Sequence, residues 1–290
     1  MTNIVIGIDG SDTSAHAMRW AAREAQLHHQ TVTAILAWGL LNQRHPDRSE
    51  TFNPNYGVED ARSALLAYVT DAVGVENAEG VALRPVNDLP DRALIEASRE
   101  AALLVLGGRG LGGFKGMLLG AVSYHCLHHA ACPIAIIREP VPERAPGDAE
   151  RIVVGIDGSA SAHRALIWAV EEARVRHASL EIVHSWHANY GGGGVHGLPV
   201  VDPGIFEEPA RNVLESCLDG VDVSGLAEPP RRTLVCDSAA HALLTADKDA
   251  DLLVTGSRGV GGFAGLLVGS TTSQVVHHAD CPVVVIPTGG

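Results

Sequence analysis

One stretch of this chain occurs twice. Residues Gly107–Ala121 read GGRGLGGFKGMLLGA, and Gly256–Ser270 read GSRGVGGFAGLLVGS. Both copies keep the spacing Gly-x2-Gly-x9-Gly, on Gly107, Gly110 and Gly120 and on Gly256, Gly259 and Gly269. Cys-Pro follows each at the same interval, at Cys132-Pro133 and Cys281-Pro282, and opens a short apolar run. A repeat of this length is a repeated domain, and it constrains the fold before any other feature does.

Each glycine stretch follows an apolar run that reads as a buried strand, Leu103–Leu106 or Leu252–Thr255, and precedes a segment with helical character, Ser123–His129 or Thr271–His278. Strand, glycine loop and helix in that order make a phosphate cradle. Glycine lets a ligand approach without meeting a Cβ, and a helix start offers free N–H groups at the positive end of a dipole. Ser270 falls where a helix N-cap is expected, with a hydroxyl for a phosphate oxygen.

The rest of the chain also runs twice through one order. Ile4–Ile8 is a strand ending in Asp9-Gly10-Ser11, and a helix follows to about His28, capped by Ser11 or Asp12. Val32–Trp38 is a strand, Val58–Val73 a helix, Val81–Val86 a strand, Arg92–Ala101 a helix and Ile134–Ile137 the fifth strand. A proline-rich, charged linker at 139–150 divides domain 1 (1–138) from domain 2 (151–290). Val153–Ser159 then repeats Val5–Ser11 nearly letter for letter, and Trp168 and Trp186 repeat Trp20 and Trp38. The glycine run 191–194 reads as a flexible flap near the strand ends or, somewhat better, as a tolerated insertion in a surface loop. Strands alternating with helices imply parallel pairing, right-handed crossovers and a doubly wound α/β sheet in each half. Ligands bind such sheets beyond the carboxyl ends of the strands. Asp9, Asp157 and both glycine loops fall there. The terminal strands Ile134–Ile137 and Val283–Ile286 read as sheet edges that need covering.

A net charge of −13 argues against a general nucleic-acid or anionic-membrane partner. An anionic ligand must then be held by local N–H groups and a few arginines. The five cysteines form no C-x-x-C pair, which fits reduced thiols and a cytoplasmic setting. The start reads as a strand without a basic n-region, so no signal peptide is expected, and no apolar run approaches a membrane span.

With these residues in view, the chain resembles a tandem universal stress protein of the ATP-binding type. Gly-Ile-Asp-Gly-Ser near each domain start and the long glycine motif with its Cys-Pro strand carry the resemblance over nearly the whole chain. It implies five parallel strands per domain in the order 3-2-1-4-5. It also implies ATP, with an accompanying Mg2+ left open, as the ligand. In the second domain it implies Asp157 at the ribose, Ser185 beside the adenine, and Gly256, Gly259, Gly269, Ser270 and Thr271 at the phosphates. In the first it implies Asp9, Ala37, Gly107, Gly110, Gly120, Ala121 and Ser123. Ala121 replaces Ser270, so weaker binding is expected there. The implied role is regulatory in stress response, with a homodimer or pairing of the two halves and an unidentified protein partner. A nucleotide-free interaction module and a slow ATPase are the alternatives.

Other motifs weigh less. Gly108, Gly110 and Gly113 spell G-x-G-x-x-G, but after the fourth strand and without the acidic residue of a dinucleotide site. No P-loop lysine occurs; Arg109 and Arg258 are candidates for its place. His125 and His129 stand at i, i+4, but the matching pair is Gln274 and His278, which disfavours a metal. No nucleophile elbow or carboxylate pair marks a catalyst.

Overall fold

The computed structural model describes residues 3–111, 119–141, 149–187, 204–260 and 268–288. Most of the linker, the glycine run 191–194 and the middles of both glycine loops lie outside these. The first half runs β1 (Asn3–Gly7), α1 (Asp12–Leu27), β2 (Thr31–Trp38), α2 (Val58–Val73), α3 (Val75–Ala78), β3 (Val81–Asn87), α4 (Pro90–Ala97), β4 (Leu103–Gly107), α5 (Ala121–His129) and β5 (Ile134–Ile137). The second runs β6 (Arg151–Ile156), α6 (Ala160–Arg176), β7 (Ser179–Trp186), α7 (Gly204–Ser216), β8 (Arg231–Cys236), α8 (Ala239–Ala246), β9 (Leu252–Gly256), α9 (Ser270–His278) and β10 (Val283–Ile286).

All ten strands form one sheet, ordered β3-β2-β1-β4-β5-β10-β9-β6-β7-β8. Within each half every pairing is parallel. The central strands are buried on both faces, which is why they read as unbroken apolar runs. Ile4 and Ile6 join the core under α1 and α2, while Val5 joins the core under α4 and α5. The outer strand β3 is only partly buried and holds Pro85, which an edge tolerates.

The two halves meet edge to edge. β5 and β10 pair antiparallel, with Ile134 opposite Val285 and Ile136 opposite Val283. The edges that each half would expose alone thus cover one another. Above this seam, α1 and α6 meet through charge: the buried Arg176 guanidinium holds both Glu24 oxygens at 2.5 Å, Glu172 at 2.6 Å and Glu150 at 2.8 Å.

Strand ends fall within a residue or so of expectation, and the clearer differences lie at α4, α5 and α9. α4 starts at Pro90 and stops at Ala97, because proline suits a first helical position and the Ser98 hydroxyl turns back to the Ile95 carbonyl. α5 starts at Ala121, two residues early. At α9 the N-cap is Gly269, extended at φ −72° and ψ 156°, whose carbonyl takes the first helical bond from the Ser273 N–H at 2.9 Å. Ser270 is therefore the first helical residue and not the cap.

Candidate functional site

At the carboxyl end of each half-sheet lies a cavity, of about 430 Å³ in the first half and about 490 Å³ in the second. Asp9, Ala37, Gly107, Gly110, Gly120, Ala121 and Ser123 all line the first. Asp157, Ser185, Gly256, Gly259, Gly269, Ser270 and Thr271 all line the second. The walls beneath are apolar: Ile35, Leu94 and Leu106 in one, Val183, Leu243 and Val268 in the other.

The three glycines of each motif serve different ends. A Cβ on Gly107 would stand 2.8–3.0 Å from Thr13 and the Ser14 nitrogen, and one on Gly256 would meet the Ser161 and Ala162 backbone. The first glycine therefore lets the strand end pass beneath α1 or α6. A Cβ on Gly110 would come within 2.5 Å of Asp9 Oδ2, and Gly259 is fitted to Asp157 in the same way. The third glycine is unlike these. A Cβ on Gly120 or Gly269 would find nothing nearer than 3.5 Å and 3.6 Å. Among the described residues no contact requires glycine there, and the space that it leaves belongs to the cavity.

The aspartates tie the loops down. Asp157 Oδ1 accepts from the Ser159 N–H at 2.9 Å, and Oδ2 accepts from the Val260 N–H at 2.8 Å. Asp9 Oδ1 accepts from the Ser11 N–H at 3.0 Å and the Ser11 hydroxyl at 2.6 Å, and Oδ2 accepts from the Leu111 N–H at 3.0 Å. Sequence reasoning missed this tie.

Helix starts supply the donors. In α9 the N–H groups of Ser270, Thr271 and Thr272 precede the first intrahelical donor, and α5 offers those of Ala121, Val122 and Ser123. Neither helix has an acid in its first turn to compete with an anion. The Thr272 hydroxyl donates to the Gly256 carbonyl at 2.7 Å, as the Ser123 hydroxyl does to Gly107 at 2.8 Å. Ser123 is thus committed to the strand end and does not replace the hydroxyl missing at Ala121. The Ala37 carbonyl already accepts from the Asn42 amide at 3.0 Å.

A family model described as the Universal stress protein family matches residues 1–138 and again 149–287. The chain belongs to the universal stress protein family. Its membership is tandem, and it places the chain broadly among stress-response proteins. A universal stress protein of Mycobacterium tuberculosis strain H37Rv is 31% identical over 97% of this chain and 96% of its own. Another from the same strain is 32% identical over 97% of this chain and 95% of its own. Among solved structures, a universal stress protein from Archaeoglobus fulgidus DSM 4304 aligns over 99% of this chain and 98% of its own, at 19% identity and a TM-score of 0.64. That last likeness is one of fold.

Within this tandem universal stress protein the two sites are not equivalent. Arg44, from the connection between β2 and α2, lines the first cavity together with Arg109 of the glycine loop. Sequence reasoning did not single out Arg44, because its connection has no periodicity and no repeated counterpart. His125 pairs with Asp91 at 2.7 Å and stays apart from any three-ligand group. Glu24, His28 and Glu172 are the one such group among the described residues, and Arg176 already bonds both of its carboxylates. No described helix is long and apolar enough to cross a membrane.

Proposed function

We propose that this chain is a nucleotide-binding regulator that holds ATP in each cavity. The observation that carries this reading is the third glycine. Gly120 and Gly269 leave room that no contact among the described residues explains, in front of open N–H groups at a helix start. On this reading Gly256, Gly259, Gly269, Ser270 and Thr271 surround the phosphates in the second half, and Gly107, Gly110, Gly120 and Ala121 do so in the first. Asp157 and Asp9 face the ribose. The strand ends at Ser185 and Ala37 border the adenine, over apolar walls suited to a flat ring. Among the described residues each cavity is lined by a single carboxylate, already bonded to the loop. Any Mg2+ would therefore come with the phosphates.

The loop tie suggests how occupancy is read. A ribose on Asp157 shares the carboxylate that holds the Val260 N–H, so binding is coupled to the loop's position, and through it to assembly or a protein partner. The β5 and β10 edges are used within one chain. A homodimer would therefore form through another surface. The role is one of binding, with slow hydrolysis at most a by-product. Free cysteines fit a cytoplasmic setting.

The test is the nucleotide content of the purified protein. The chain is heat-denatured and released nucleotide is quantified by chromatography and mass spectrometry, alongside Gly269→Glu. We expect ATP near one or two per chain, reduced in the variant. No released nucleotide, followed by no ATP binding in titration, would leave an interaction module of the same fold.

A further inference from the structure

The first cavity holds a cation that the second cannot copy. Between Trp38 and α2 the chain carries Arg44 and Arg48, whereas between Trp186 and Arg211 the second half has neither arginine nor lysine. The segment around Arg44 is built to hold it. The Gln43 amide donates to the Leu40 carbonyl at 3.1 Å and the Asn53 carbonyl at 2.8 Å, and its oxygen accepts from the Asn53 N–H at 2.8 Å. The Tyr56 hydroxyl accepts from the Arg44 N–H at 3.2 Å and donates to the Arg44 carbonyl.

The guanidinium itself is aimed by neutral groups. Nε donates to the Asp9 carbonyl at 3.1 Å, and Nη1 donates to the Gln43 carbonyl at 2.8 Å. No ion pair joins Arg44 to a carboxylate among the described residues, although the chain has 34 acids against 21 lysines and arginines. A half-buried, oriented guanidinium without a paired carboxylate is a receptor for an oxyanion. It stands beside Asp9 and lines the same cavity as Arg109 and the start of α5.

The aspartates differ in a matching way. An ionised carboxylate accepts about four hydrogen bonds. Asp9 already takes three, from Ser11 N–H, Ser11 hydroxyl and Leu111 N–H. Asp157 takes two, from Ser159 and Val260. Asp157 can accept both hydroxyls of a free ribose. Asp9 has room for one.

We propose that the first site takes nucleotides whose ribose carries a second phosphate at the 2′ or 3′ position, with Arg44 as the receptor for that phosphate. Such a ribose presents one hydroxyl to Asp9 and one dianion to Arg44. The second site takes nucleotides with a free ribose diol. The proposal rests on the nucleotide reading above and adds a ligand class to it.

The test uses the full chain with one site blocked at a time, by Gly269→Glu or by Gly120→Glu. AMP, adenosine 2′,5′-bisphosphate and adenosine 3′,5′-bisphosphate are titrated calorimetrically into each. With the second site blocked, one bisphosphate is expected to bind about tenfold or more tighter than AMP. Arg44→Gln should bring that ratio to about one, and Arg44→Lys, which keeps the charge, should retain part of it. With the first site blocked, neither bisphosphate should gain on AMP. A ratio near one at the first site, or one that Arg44→Gln leaves unchanged, overturns the ligand class while AMP binding still upholds a nucleotide site. No binding of any of the three, or of ATP, at either site overturns both.

Discussion

Gly256 and Gly269 belong to one motif but answer to different neighbours, and substitution separates them. A methyl group at Gly256 meets backbone in the first turn of α6, where neither side can yield cheaply. Gly256→Ala is expected to destabilise the chain by about 1–3 kcal/mol, read from urea denaturation. A methyl group at Gly269 meets nothing nearer than 3.6 Å. The backbone there is extended at φ −72°, which alanine adopts freely. Gly269→Ala should therefore cost at most about 1 kcal/mol, the loss of a glycine N-cap, while weakening ATP binding. Unchanged ATP affinity in Gly269→Ala would mean that the space in front of α9 has no ligand. A neutral Gly256→Ala would mean that the crowding at α6 is relieved by a small shift.

The helix starts carry the difference between the sites. α9 begins with Ser270 and α5 with Ala121, so the second site has one more hydroxyl at its phosphate end, and Asp157 has one more open acceptor than Asp9. A hydrogen bond to a charged group contributes roughly 1.5–3 kcal/mol, about one to two decades in affinity. ATP should fill the second site first, and Ala121→Ser, measured with the second site blocked, should raise the affinity of the first by about that factor. Equal filling of both sites would count against the hydroxyl. At this scale the sequence was readable where a residue type has one local use. The unbroken apolar strands and the Ser11 cap, one of two candidates at the start of α1, are of that kind: the Ser11 hydroxyl accepts from the Ser14 N–H. The start of α9 was misplaced by one residue, because a serine and a glycine can both cap and only the backbone angles decide. The tie from Asp9 to Leu111 and the aim of Arg44 were not readable. Each depends on segments far apart in the chain meeting at the sheet end, and no spacing rule encodes that meeting.

The seam between the halves is where the whole molecule should respond to pH. Glu24 on α1 and Glu172 on α6 are almost fully buried, and Arg176 is shared between them and Glu150. His28 adds a bond to Glu172 at 3.1 Å. Burial pushes the Glu24 carboxyl up to about 7, since one guanidinium divided among three carboxylates offsets only part of the cost. The His28 imidazole is raised by its hydrogen bond to Glu172. Glu172 is lowered: burial acts against this but is outweighed by His28 and Arg176. An acid with a raised folded pKa contributes most when protonated. Relative to its ionised form, the Glu24 contribution is complete below the ordinary carboxyl value of 4.5 and is lost as pH rises through about 7. His28 acts in the same sense, its contribution present below 6.5 and lost above its raised value. Glu172 opposes only in stronger acid, where its contribution is lost as pH falls below 4.5. The seam should therefore be firmest in mildly acidic solution and lose on the order of 2–3 kcal/mol between pH 5 and 8. Glu24→Gln keeps a polar group beside Arg176 and removes the titration. Its thermal midpoint, measured against pH beside the parent chain, should decline less over that interval, with the two curves separating by roughly 3–8 °C at pH 8. Parallel curves would show that Glu24 stays ionised throughout, held by Arg176 alone. Arg176→Met, which leaves the three carboxylates without their cation, should then be the change that weakens the seam most at neutral pH, by about 3–5 kcal/mol.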